Sequence, residues 1–175
     1  MSILRRHDPL RDPEPLIKRV YAYVAYRIGD GPEAEDVTSE VFERALRYRD
    51  SFDPKKGEPI AWLLGIARRC IQTPRVAHAP LDDEALWEGY EESEDRALDR
   101  LALASALATL SPREQELIAL RYGADLTAVQ IAHVLDLREN TVEVALHRAL
   151  NRLRAVLEAS EAEPRVPELL RVESG

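Results

Sequence analysis

The chain has 175 residues, of which 45% are hydrophobic, 32% charged and only 6% aromatic. This length allows one medium-sized domain or two small ones, and the scarcity of aromatic residues favours helices over a β-sandwich. A single cysteine, Cys70, excludes a disulfide framework and a cysteine-rich zinc module. Because no apolar run approaches ~20 residues and the N-terminus lacks an apolar signal core, we expect a cytoplasmic protein without membrane insertion.

The net charge of −8 argues against a protein that binds nucleic acid tightly by itself. Residues 77–105 carry nine Asp/Glu against two Lys/Arg, and residues 158–175 carry five against two, whereas the remaining blocks are close to neutral. This distribution predicts two domains joined by a flexible, self-repelling acidic linker over residues 77–104. The acidic tail, residues 159–175, is predicted to be disordered.

Apolar residues at helical spacing predict an N-terminal helical bundle, which we place at residues 10–76. The segment Gly29-Asp30-Gly31-Pro32 ends one helix and starts the next. Charged residues, glycine and proline predict a loop over residues 50–59. The predicted helices cover residues 16–28, 32–49 and 60–72.

The C-terminal domain, placed at residues 105–158, contains two capping boxes, which begin at Ser111 and Thr127. A short helix to Leu135, a tight turn and a longer helix from Asn140 to Leu157 form the pattern of a helix-turn-helix. Such a motif places its second helix in a DNA major groove, although an ordinary corner between bundle helices has the same pattern. The predicted fold is therefore all-α, with two small helical domains.

Two polar helix faces are candidates for binding. The second helix has an acidic face opposite its apolar stripe, which is either a solvated face or a docking surface for a basic partner. It contains Glu33, Asp36, Glu40 and Glu43. The last helix places polar residues opposite its own apolar stripe, where they could reach base edges or phosphates. These residues are Val144, His147, Arg148 and Asn151, flanked by Arg152.

The third helix is expected to bury Trp62 and Cys70 and to turn Arg68 and Arg69 outward, where they would join Lys55 and Lys56 in a small basic patch. The sequence contains no phosphate-binding glycine loop, nucleophile motif or metal-ligand spacing, and its four histidines are scattered. We therefore predict no enzyme activity, no cofactor and no metal.

Two segments resemble the same family. The stretch GDGPEAEDVTSEVFERALRYRDSFDPKKGEPIAWLLGIARR resembles the second conserved domain of bacterial sigma factors. The stretch ALATLSPREQELIALRYGADLTAVQIAHVLDLRENTVEVALHRALNRLR resembles the fourth. Because only these two domains and a linker are present, the chain resembles the extracytoplasmic-function (ECF) sigma factors.

The resemblance implies that the chain binds the β′ clamp helices and the β flap of core RNA polymerase and directs the polymerase to promoter DNA. Many members of the family are held by an anti-sigma factor. The implied polymerase contacts are Glu33, Glu35, Asp36, Glu40, Phe42 and Glu43. The implied minus-ten contacts are Ser51, Phe52, Asp53, Lys55, Lys56, Trp62, Arg68 and Arg69. The implied minus-35 contacts are Thr127, Arg138, Asn140, Thr141, Val144, His147, Arg148, Asn151 and Arg152.

The chain departs from the family pattern in its last helix, where Glu143-Val144-Ala145 stands in place of the common Lys-Ser-Arg. This difference predicts an unusual or relaxed preference at the minus-35 element. Two alternatives stay open. One is a helix-turn-helix regulator without polymerase binding, and the other is a sigma-like adaptor that binds the polymerase but not the promoter.

Overall fold

The computed structural model describes residues 8–72 and 94–162, and every regular element within them is a helix. The prediction of an all-α fold is therefore confirmed for these residues. The predicted flexibility of residues 77–93 and disorder of residues 163–175 lie outside the described residues. Residues 159–162, also predicted to be disordered, are instead helical. The described part of the chain contains seven α-helices, in order α1 Pro13–Ile28, α2 Pro32–Arg47, α3 Pro59–Gln72, α4 Glu94–Ala108, α5 Pro112–Ile118, α6 Ala128–Leu135 and α7 Glu139–Ala162.

The N-terminal bundle consists of α1, α2 and α3, whose apolar stripes meet in a common core. Proline stands in the first turn of α1 and of α2, where its missing N–H costs no hydrogen bond. Cys70 is buried, as expected, but Trp62 is only partly buried and packs at the edge of the core. The buried side chains are Val20, Tyr23 and Val24 of α1, Ala34, Val37, Val41 and Ala45 of α2, and Ile60, Leu63, Leu64, Ala67 and Cys70 of α3.

Helix α4 extends into the segment predicted to be a linker, because residues 94–104 are helical. Its C-terminal end supplies the apolar side chains Ala106 and Leu107, which pack with Leu110, Ala149 and Leu153 in a small second core. The apolar spacing of α4 allows it to cover one side of α7, which explains why this part of the acidic segment is ordered.

Helices α5, α6 and α7 form the predicted helix-turn-helix domain. Both capping boxes are present: Ser111 accepts a hydrogen bond from the backbone of Glu114, and Thr127 accepts one from the backbone of Gln130. A π-helical turn continues α5 from Ala119 to Gly123.

The two domains share one hydrophobic core, which the sequence did not predict. Leu117, Leu120 and Ile131 of the C-terminal domain are buried in the same cluster as the core side chains of α1, α2 and α3. Outside the core, the Arg19 side chain donates hydrogen bonds to the carbonyl oxygens of Ala124 and Asp125 at 2.7 and 3.2 Å. The described residues therefore form one packed body.

The turn between α6 and α7 has a left-handed residue, Asp136, at φ 54° and ψ 49°. A β-carbon is disfavoured in this conformation, and glycine is the residue that adopts it without steric cost. We expect Asp136→Gly to raise the free energy of unfolding by roughly 0.5–1 kcal/mol. Urea unfolding of the full chain measures this change. Asp136→Ala keeps the β-carbon and should give no gain, and equal effects of the two variants would contradict the explanation.

Candidate functional site

The outer face of α7, formed by Val144, His147, Arg148 and Asn151, is exposed as predicted. Val144 is 44% exposed, so its apolar side chain is accessible on this face. The side chains of His147 and Asn151 lie one helical turn apart, with Nε2 and Nδ2 separated by 3.1 Å. The opposite face of α7 is buried, so the helix-turn-helix presents this outer face to the surroundings.

The first turn of α7 and the start of α6 carry further predicted minus-35 residues. Arg138, Asn140 and Thr141 are exposed around the beginning of α7. Thr127 is also exposed, but its hydroxyl oxygen accepts a hydrogen bond from the Gln130 N–H at 3.3 Å and therefore caps α6. The Thr127 hydroxyl would therefore have to serve both this cap and any contact with DNA.

Arg152 is engaged within the C-terminal domain. Its Nη1 lies 2.9 Å from Glu114 Oε1 and ties α7 to the beginning of α5. The backbone N–H and the hydroxyl of Ser111 also donate to Glu114, at 2.9 and 2.8 Å. The Ser111 donors and Arg152 together lower the pKa of Glu114 from its ordinary value. These contacts make Arg152 a packing residue as well as a predicted DNA contact.

The loop between α2 and α3 brings several predicted minus-ten residues together. The rings of Phe52 and Trp62 are 5.6 Å apart, inclined at 59°, and Asp53 Oδ1 accepts a hydrogen bond from the Lys55 N–H at 3.0 Å. The Ser51 hydroxyl donates to the carbonyl oxygen of Tyr48 at 2.7 Å. A cavity of about 250 Å³, here called the loop cavity, is lined by Phe52, Lys56, Glu58, Trp62, His133 and Val134, among others.

The C-terminal domain forms one wall of the loop cavity. His133 of α6 lies with its Nε2 2.6 Å from the carbonyl oxygen of Lys56. The Gln130 side chain donates a hydrogen bond to Glu58 Oε2 at 3.2 Å. The loop predicted to read the minus-ten element therefore faces the first helix of the helix-turn-helix.

Arg68 does not turn outward, contrary to the prediction. Its Nε lies 2.6 Å from Glu116 Oε1 in an ion pair without hydrogen-bond geometry, and its Nη1 donates to the Val134 carbonyl at 3.4 Å. The C-terminal domain packs over the side of α3 that carries Arg68, so the side chain points into the contact between the domains. Arg69 is exposed, as predicted.

Glu116 is the central polar residue between the domains, and no sequence signal singled it out. Its carboxylate also lies 3.7 Å from Arg27 Nη1 and 3.5 Å from the Tyr23 hydroxyl, which donates to it. Its side chain is only 17% exposed. Burial, followed by the nearby Glu116 charge, raises the pKa of Tyr23, which stays protonated. All of these partners belong to the N-terminal bundle.

The predicted polymerase contacts of α2 include the acidic face, Glu33, Asp36, Glu40 and Glu43, and the neighbouring Glu35. All of these acidic side chains are exposed except Glu40, which is half-buried. The Glu40 Oε1 atom lies 2.5 Å from Arg44 Nη2. Phe42, also predicted to contact the polymerase, is half-buried and packs against the core. Acidic side chains dominate the first turns of α2, where the helix dipole favours negative charge.

Among the described residues, no group of three or more His, Cys, Asp and Glu side chains could hold a metal ion. None of the helices in residues 8–72 and 94–162 is long and apolar enough to cross a membrane.

Comparison with known families matches both domains. Residues 14–75 match the model of sigma-70 region 2, and residues 106–155 match that of sigma-70 region 4. The ECF sigma factor BldN of Streptomyces coelicolor is 31% identical over 147 residues, which cover 79% of this chain and 56% of BldN. The ECF sigma factor SigL of Mycobacterium tuberculosis H37Rv is 30% identical over 146 residues, which cover 79% of this chain and 82% of SigL.

Two solved structures share the fold. The sigma factor RpoE of Bartonella quintana, in complex with the anti-sigma factor NepR, matches with a TM-score of 0.58 at 21% identity, over 82% of this chain and 92% of RpoE. CnrH, in complex with the cytosolic domain of CnrY, matches with a TM-score of 0.59 at 25% identity, over 83% of this chain and 82% of CnrH. The chain belongs to the sigma-70 family. Within that family it is an ECF sigma factor, a class of transcription initiation factors.

The lowered pKa of Glu114 predicts a pH-dependent contribution to stability. A carboxyl group whose pKa is lower in the folded state stabilises the fold when ionised. This stabilisation is present above the ordinary value of 4.5 and disappears as the pH falls through the lowered folded pKa. We expect Glu114→Gln to destabilise the chain at pH 7, and the difference should shrink as the pH falls below 4.5 in urea unfolding. A difference independent of pH would contradict this account.

Proposed function

We propose that this chain binds core RNA polymerase and directs it to promoters that carry a minus-ten and a minus-35 element. The observation that carries the proposal is the order of the two matched regions, in which an exposed acidic helix precedes an exposed helix-turn-helix. A helix-turn-helix regulator would explain α6 and α7, but it would leave the acidic face of α2 and the loop cavity without a role.

The acidic face of α2 is the proposed contact with the β′ clamp helices, and the C-terminal domain is the proposed contact with the β flap. Exposed charges of one sign steer association with a complementary surface and discriminate against wrong partners. Glu35, Asp36 and Glu43 are exposed in the structure, which supports their role in this contact. Phe42, which is half-buried and packs against the core, is a further proposed contact.

The loop cavity is the proposed site for a flipped base of the minus-ten element. A base outside the duplex exposes its ring faces and edges, which aromatic side chains can stack against. The adjoining rings of Phe52 and Trp62 provide such a surface, and the exposed Lys55 and Lys56 lie where they can attract the phosphate backbone.

The outer face of α7 is the proposed reader of the minus-35 element in the major groove. Arg148 and Asn151 can pair with guanine and adenine edges, and Val144 can contact a thymine methyl group. The net charge of −8 fits binding as part of a holoenzyme, in which the polymerase supplies most of the phosphate contacts.

The proposed action is binding and positioning, without a catalytic step of the chain's own, and the partners imply a cytoplasmic location. An anti-sigma factor is a further proposed partner, because RpoE of Bartonella quintana, which has this fold, is solved with NepR.

Transcription from fragmented genomic DNA tests the proposal. Purified chain is mixed with core polymerase, and the transcripts are sequenced. Discrete start sites that share two spaced elements are expected. Polymerase binding without new transcripts would favour an adaptor, and absence of polymerase binding would favour a DNA-binding regulator.

Reversing one charge on the acidic face tests the polymerase contact. We expect Asp36→Lys to weaken binding to core polymerase by at least about tenfold, because like charges would meet at the interface. Asp99→Lys, an equal charge change at an exposed position of α4 outside both proposed polymerase contacts, is the matched control. Pull-down titration with core polymerase measures both, and equal affinities would refute the assignment.

A charge change at Glu143 tests the proposed contact of α7 with the minus-35 element. Its negative charge at an exposed position near the start of α7 should repel phosphate. We expect Glu143→Lys in the holoenzyme to bind promoter DNA more tightly and to steepen the salt dependence by roughly 0.9 in log–log slope for each added phosphate contact. Promoter binding with an unchanged slope would show that Glu143 lies away from the DNA.

A further inference from the structure

A second cavity, of about 580 Å³, lies between α1 and α4 and is here called the interhelical cavity. It shares no lining residue with the loop cavity or with the outer face of α7. Its volume falls within the range of small-molecule sites, about 300–1,000 Å³. Most of its lining is apolar and comes from both helices, including Ala25 and Ile28 of α1 and Leu103, Ala104, Leu107 and Ala108 of α4.

Arg27 lines the interhelical cavity and gives it a chemical preference. The Arg27 side chain is only 15% exposed, and its Nε–H is buried without a hydrogen-bond acceptor in the described part of the chain. The Glu116 carboxylate lies 3.7 Å from Arg27 Nη1 but only 2.6 Å from Arg68 Nε, so it is shared between two guanidinium groups. A buried donor without an acceptor costs free energy, which an acceptor on a ligand would restore.

The other charged side chains of the cavity are paired with each other. Arg100 Nη1 lies 3.1 Å from Asp30 Oδ2, and the Tyr21 hydroxyl donates a hydrogen bond to Asp30 Oδ1. The charges of Arg100 and Asp30 therefore compensate each other, whereas Arg27 has only a share of Glu116. The lining keeps an excess of positive charge in a chain whose net charge is −8, and this excess favours an anionic ligand.

We propose that the interhelical cavity binds a small amphipathic carboxylate, whose anionic group pairs with Arg27 and whose hydrocarbon body lies between α1 and α4. A guanidinium group holds a carboxylate through charge-assisted hydrogen bonds, and burial of the hydrocarbon adds affinity. None of the polymerase and DNA contacts predicted from the sequence lines this cavity, so the site goes beyond the proposed function. Because α1 belongs to the N-terminal bundle and α4 packs against α7, the ligand contacts both domains.

Calorimetric titration of the full chain with decanoate at pH 7 tests the proposal, with 1-decanol as the uncharged analogue. We expect saturable binding of one decanoate per chain, at least about tenfold tighter than that of decanol, because only the carboxylate pairs with Arg27. Absence of saturable decanoate binding, or equal affinity for the two probes, would overturn the proposal.

A pair of substitutions on α4 tests where the ligand binds. Ala104 and Ala102 are both exposed on α4, but only Ala104 lines the interhelical cavity. We expect Ala104→Phe to fill the cavity and to weaken decanoate binding at least about tenfold, whereas Ala102→Phe, the matched control, binds like the parent. Circular dichroism verifies that both variants keep their helical content. Equal affinities of the two variants would place the ligand elsewhere and overturn the site.

Arg27→Met tests the anion contact, because it removes the charge and keeps an apolar stem. We expect this variant to bind decanoate about tenfold more weakly and to bind decanol like the parent, which also shows that the cavity is intact. An equal loss for decanoate and decanol would show that Arg27 acts through packing and would overturn its role as the anion partner.

The chain's own C-terminal segment, residues 163–175, is the competing occupant, because it contains Leu169 and Leu170 next to Glu168. Leu169→Ser combined with Leu170→Ser in the full chain removes its apolar side chains. We expect this variant to bind decanoate with the affinity of the parent. Decanoate binding that appears only in this variant would make the segment the occupant and would overturn the proposal.

Discussion

The close approach of Gly123 to the backbone of α1 is the constraint on which the arrangement of the two domains depends. A π-helical turn that ends at Gly123, a residue without a β-carbon, lies directly on α1, and Leu120 within the turn and Ala124 after it are buried in the shared core. This contact fixes the position of α5 and α6 over the N-terminal bundle. As a result, Glu116 reaches Arg68, and His133 reaches the loop between α2 and α3.

The polar cluster around Glu116 sets the orientation of the interface more than its strength. Removing charged groups from water costs free energy that their mutual attraction only partly returns, so a partly buried ion pair contributes little net stability. Its partners are nevertheless specific, because a carboxylate facing two guanidinium groups and a hydroxyl has few equivalent positions. The apolar contacts supply most of the stability of the interface, and the contacts of Glu116 determine the position of one domain relative to the other.

The sequence predicted the local elements well because their signals are local. Capping boxes at Ser111 and Thr127 and apolar periodicity identified the helices, and the same periodicity placed the outer face of α7 correctly. The direction of Arg68 was wrong because a helical wheel defines a face but not what a distant segment places over it. Glu116 was missed for the same reason, since its partners Arg27 and Arg68 lie far from it along the chain.

The two proposed DNA readers differ in accessibility, and this difference matches the physical state of the DNA that each would read. The outer face of α7 is proposed to read a duplex, which exists before the polymerase opens the promoter, and this face is exposed. The loop cavity is proposed to take a base that becomes available only after unpairing, and α6 forms one of its walls. The proposed reader of the duplex is therefore accessible in the free chain, whereas the proposed reader of the single strand lies at the contact between the domains.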